Sequence, residues 1–88
     1  MISMRITENA VKKFGAANQI MKFCQEVAEC QEAVLKRAEG RDSINHVAEE
    51  IADLEIMLEQ LAIIFHCESQ VRHWKRQKLE RLRKLTCD

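Results

Sequence analysis

Eighty-eight residues make one small domain, and a monomer of that size buries only about 60–65% of the surface its unfolded chain exposes. Fourteen basic and fourteen acidic residues cancel, which removes any argument from overall charge for nucleic acid or an anionic membrane. The chain has no proline, no tyrosine and two glycines; with Ala, Leu, Ile, Glu, Lys, Arg and Gln abundant, this vocabulary argues against sheets and for an all-α fold over residues 1–88.

The charge is unevenly spread. Ten of the fourteen acids fall between Glu26 and Glu59, and seven of the fourteen bases between Arg72 and Lys84, so an acidic centre precedes a basic tail. Cys24, Cys30, Cys67 and Cys87 form no CxxC pair, and the opening residues lack the apolar run of a secretion signal, which points to reduced thiols and a cytoplasmic location. Cys24 and Cys30 sit at helix-compatible core positions and read as small buried hydrophobes. No uninterrupted apolar stretch approaches the length of a membrane span.

In chain order, "MISMRITENAVKKFG" predicts a short helix from about Thr7, with Thr7 as its cap, ending at Gly15. From Ala16 to about Glu39, Ile20, Phe23, Cys24, Val27, Cys30, Val34 and Leu35 recur at helical spacing, and Gly40 supplies a stop. "GRDSIN" is an interhelical turn in which Asp42 or Ser43 can cap the next helix, and so short a connection predicts antiparallel neighbours. The next helix runs from about Ile44 to His66 with Val47, Ile51, Leu54, Leu58, Leu61 and Phe65 on one seam. A last helix starts after Cys67, with Ser69 as a possible cap, and carries Val71, Trp74, Leu82 and Leu85 on its inner side.

The helix from Ile44 is apolar beyond its seam, because Ile56, Met57, Ile63 and Ile64 lie outside it. Such a helix belongs inside a bundle, and a hairpin plus one C-terminal helix does not cover it. A homodimer that completes a four-helix-type bundle is the expected solution, with a dimer of dimers also open.

At about 100° per residue, Glu50, Asp53, Met57, Gln60 and Ile64 share a stripe beside that seam. On the preceding helix Gln19, Lys22, Glu26, Glu29 and Ala33 line one flank of the apolar face. An antiparallel hairpin turns these flanks together and gathers Glu26, Glu29, Glu50 and Asp53 around one pocket. Like charges about 6 Å apart cost roughly 3 kcal/mol per pair at an effective dielectric near 20, and burial adds desolvation. A hard divalent cation, Mg²⁺ or Mn²⁺, removes the conflict because it prefers oxygen ligands. The blander account of each pair is a solvated acid or one paired with Lys at helical spacing.

"QEVAECQEA" followed by "HVAEEIADLEIMLEQLAIIF" resembles the MazG-like, all-α nucleoside triphosphate pyrophosphohydrolases, whose hallmark is ExxE, a spacer and then ExxD. Glu26-Val27-Ala28-Glu29 and Glu50-Ile51-Ala52-Asp53 fit that pattern, and the similarity extends through "FGAANQIMKF" and "WKRQKLERL". The resemblance implies Mg²⁺-dependent cleavage of a nucleoside triphosphate between its α- and β-phosphates, with Glu26, Glu29, Glu50 and Asp53 as metal ligands and catalytic groups. It also implies Lys78 and Arg81 as phosphate-binding residues in a "K-[LF]-x-R" setting, although Arg76 stands where some relatives have Asn. Gln19, whose amide can donate to and accept from a base, and Lys22 complete the expected substrate contacts.

A di-iron carboxylate bundle needs Glu-x-x-His on two helices, whereas Ser43, Ile63 and Gln70 precede the three histidines at that spacing. His46, His66 and His73 show no common pattern and fall outside the expected site. A non-enzymatic adaptor docking its basic C-terminal helix on nucleic acid is the alternative to the enzyme. Against it, Arg72, Lys75, Arg76, Lys78, Arg81, Arg83 and Lys84 spread around the helix, and Glu80 interrupts them.

Overall fold

A computed structural model describes residues 2–87, and all of its regular structure is helical. The elements are α1 (Ile2–Phe14), α2 (Ala16–Ala38), α3 (Ile44–Ile64) and α4 (Glu68–Thr86). Helices α2 and α3 form the main packed pair, α1 lies against both, and α4 touches α3 alone.

The turns follow from local chemistry. Gly15, at φ 89°, separates α1 from α2, a backbone conformation that L side chains rarely adopt. At the end of α2 the Arg41 N–H reaches the Lys36 carbonyl at 2.8 Å and the Gly40 N–H reaches Arg37 at 2.9 Å, a Schellman closure with Gly40 at φ 75° in its left-handed position. Ser43 then caps α3, its hydroxyl accepting the His46 N–H at 3.0 Å, while an Asp42 carboxylate oxygen accepts the Ser43 N–H at 2.8 Å. The α3 end repeats the Schellman pattern: the Cys67 N–H donates to Ala62 at 3.0 Å and the His66 N–H to Ile63 at 3.1 Å. His66 occupies the left-handed position there at φ 52°, so α3 closes at Ile64, two residues short of the expected His66.

Other expectations change. Helix α1 starts at Ile2 rather than near Thr7, and Thr7 is a buried mid-helix residue, 4% exposed, instead of a cap. Helix α4 begins at Glu68 after Cys67, so Ser69 lies inside it and not at its cap. Cys30 is buried as expected, but Cys24 is exposed, because the side of α2 that meets α3 is the flank carrying Gln19, Glu26, Cys30 and Ala33.

The hydrophobic seams do not form this chain's core. Among the described residues the buried apolar side chains are Cys30, Ala33 and Met57, whereas Ile51, Leu58, Phe65, Val71, Trp74, Leu82 and Leu85 are exposed. The predicted inner side of α4 is therefore exposed among the described residues. The radius of gyration is 15.5 Å, against about 12 Å for a compact chain of this length. Accessible surface totals 7104 Å², against about 5,400 Å² for a typical folded monomer of this mass. None of the described helices is long and apolar enough to cross a membrane.

Candidate metal centre

Antiparallel pairing of α2 and α3 sets the start of one beside the end of the other. At one end of the pair the buried Gln19 amide donates to the Gln60 side-chain oxygen at 2.7 Å, and the Gln60 amide contacts the Met57 sulfur at 3.6 Å. These buried groups partner one another across the interface, which favours one rotation of both helices. Along the same faces, about two turns further on, come the carboxylates.

They form two overlapping groups. Oxygens of Glu26, Glu29 and Glu50 lie within 4.8 Å of one another, and so do oxygens of Glu49, Glu50 and Asp53. Glu50 belongs to both. The expected foursome thus comes together as two triads hinged on one buried residue, with Glu49 added. Glu29 and Glu49 are exposed, Asp53 is half-buried, and Glu26 and Glu50 are 9% and 8% exposed.

Few positive groups offset this charge. The Lys22 ammonium stands 3.5 Å from Glu26 Oε1, and His46 Nε2 stands 3.3 Å from Glu50 Oε1. Glu26 Oε2 and Glu50 Oε2 are each buried with no hydrogen-bond partner. Two carboxylate oxygens at 4.8 Å repel by about 3.5 kcal/mol at an effective dielectric near 20, and an unpaired buried oxygen adds its own desolvation cost. An oxygen-only donor set with two unfilled oxygens suits a hard cation such as Mg²⁺ or Mn²⁺.

His46, placed outside the site by the sequence, stands at its edge. Its Nδ1 lies 2.6 Å from Asp42 Oδ2, so the ring spans Asp42 and Glu50. The hydrogen bond from His46, aided by the Ser43 N–H, holds the Asp42 carboxyl below the usual range. The same bond and the charges of Asp42 and then Glu50 push the His46 imidazole up. The signal was legible as spacing: Asp42, His46 and Glu50 recur every four residues.

The remaining expected residues divide. Lys22 joins the site through Glu26. Gln19 has its amide nitrogen committed to Gln60, though it also lines a surface cavity with Phe14, Asn18, Met21, Lys22 and Gln25. Lys78 and Arg81 are not brought to the carboxylates within this chain: α4 packs on α3 alone, and the cavity they share is lined entirely by α4, by Trp74, Gln77, Glu80 and Lys84. Comparison with protein families, with curated proteins and with solved structures finds no match.

Proposed function

We propose that this chain is a MazG-like, Mg²⁺-dependent nucleoside triphosphate pyrophosphohydrolase that works as a homodimer or a dimer of dimers. The observation that carries the reading is the pair of carboxylate triads sharing Glu50, with partnerless buried oxygens on Glu26 and Glu50. Glu26, Glu29, Glu50 and Asp53 would hold the cation, with Glu49 at its margin; Mn²⁺ is an acceptable substitute. When bound, the metal supplies charge neutralisation for phosphoryl oxygens and a water of lowered pKa.

The chain's own residues supply the rest. Glu29 is the exposed member of its triad, placed to orient a water from the solvent side. The Lys22 side chain is exposed and can leave Glu26 for a phosphate when a cation takes over the neutralisation. The Gln19–Gln60 bond holds α2 and α3 in register beneath them. Helix α4 carries Lys78 and Arg81 at exposed positions. The dimer rests on area: the excess over a typical monomer is about 1,700 Å² per chain, within the range that obligate dimer interfaces bury.

The test resolves pyrophosphate from orthophosphate among the products of canonical and modified triphosphates with Mg²⁺. Glu50→Gln or Asp53→Asn is expected to lower turnover by about a hundredfold or more, while the metal-free protein stays as stable as wild type or becomes more so. Full activity in either variant removes that residue from the mechanism. The exposure of α4 beyond Glu68 favours the adaptor as second reading; salt-sensitive DNA binding with no triphosphate hydrolysis would establish it instead.

A further inference from the structure

We infer that His46 is a positioning residue for the cation site: braced by Asp42, its ring holds one oxygen of Glu50 and leaves the other for the metal. This rests on the cation reading above. Glu50 is the carboxylate common to both triads, so its rotation governs both. Its Oε1 faces His46 Nε2 at 3.3 Å, and its Oε2 is buried without a partner. One oxygen is engaged from outside the cluster, and one is unspent.

The imidazole is itself held on its other side, where Asp42 Oδ2 meets Nδ1 at 2.6 Å. The pair with Asp42 accounts for one ring nitrogen only: third in α3, His46 occupies the position where a capping box places Glu or Gln, and its second nitrogen is turned to Glu50. A ring that orients a ligating carboxylate gives the histidine a reason to be there.

The experiment measures Mn²⁺ affinity by electron paramagnetic resonance at one fixed pH, without substrate. Wild type should bind and Glu50→Gln should lose binding. His46→Leu should bind about tenfold more weakly or worse, and His46→Gln, whose amide can still donate to Glu50, should recover most of the loss. Ser43→Ala, which weakens the same helix start without touching Glu50, should bind as wild type does. A His46→Leu affinity within about twofold of wild type overturns the inference, and so does an equal loss in Ser43→Ala, which would make His46 merely structural. If His46→Leu does not fold, Asp42→Ala keeps the ring and removes its brace; unchanged affinity there overturns the inference equally. A wild type that binds no Mn²⁺ at millimolar concentration overturns the cation reading and this inference with it, whereas a wild type that binds while His46 variants match it overturns this inference alone.

Discussion

The α2–α3 interface and the outer surface of α4 invert the usual arrangement. Within the hairpin, buried residues are largely polar: Gln19, Glu26, Glu50 and Gln60 stand beside Cys30, Ala33 and Met57. On α4, Val71, Trp74, Leu79, Leu82 and Leu85 are all exposed. Burial of apolar area is the dominant favourable term in folding, so the hairpin encloses polar groups while much of the apolar surface remains uncovered. The proposed second copy, laid on those seams, would account for both halves of the contrast.

The largest effect expected from this contrast lies on α4. Trp74 is 58% exposed in the single chain, and a surface substitution in a monomer changes stability by only about 0.5 kcal/mol. If the proposed dimer covers it, Trp74→Glu loses a large apolar contact and buries a charge, at about 3 kcal/mol or more, roughly a hundredfold in dissociation constant. Sedimentation equilibrium decides between the two. A wild type that stays monomeric at high micromolar concentration breaks the comparison at its first step.

Metal is the corresponding probe of the hairpin. A cation present at a hundred times its dissociation constant stabilises the folded form by about 2.7 kcal/mol, a rise in Tm on the order of 10 °C for a domain of this size. Glu50→Gln should abolish that rise. No shift in wild type at millimolar Mg²⁺ would leave the carboxylate triads as an electrostatic liability without a function.

The same contrast explains what could be seen in the sequence. The period-3.6 pattern located α2 and α3, and "GRDSIN" located their turn, because those signals are local. The pattern also grouped Glu50 with Met57 and Gln60, and Glu26 with Gln19 and Ala33, and these are the residues that are buried. What periodicity cannot say is which face meets the chain's own helices and which does not. The apolar seams of Ile51, Leu58, Val34 and Leu35 therefore read as core, whereas they are exposed in the single chain. Thr7 misled because its capping preference is only statistical, and here its helix begins five residues earlier. Lys78 stands out as a base within the apolar stripe of Val71, Trp74, Leu82 and Leu85, and it and Arg81 match the family pattern, but neither spacing nor resemblance carries the distance between α4 and the carboxylates.

A smaller effect tests the polar side of the interface. Gln60→Leu leaves the Gln19 amide buried without its acceptor at 2.7 Å, at a cost of about 1–3 kcal/mol in urea unfolding. Adding Gln19→Leu should restore much of that loss, because two apolar groups of similar shape leave nothing unpaired. A double variant no more stable than the single one would mean that the pair fixes helix register beyond its own hydrogen bond.

The smallest effect separates the two regions by pH. Asp42 is held low chiefly by the hydrogen bond from His46, so its contribution to folding is complete above its ordinary value of 3.8 and is lost as pH falls through the lower folded value. His46 is pushed up chiefly by the same bond, so its contribution is complete below 6.5 and is lost as pH rises through the higher folded value. Both are present between those two ordinary values, and stability should decline on either side. On α4, Glu80 is held low by Arg83, a pair whose contribution fades only in acid. Urea unfolding of metal-free protein across this range should show an alkaline decline that His46→Gln removes. Ser43→Ala should lower the whole curve by about 1 kcal/mol without moving that edge, because the cap hydroxyl does not titrate. An alkaline edge that survives His46→Gln would assign it to another group and detach the Asp42–His46 pair from the stability of the α3 start.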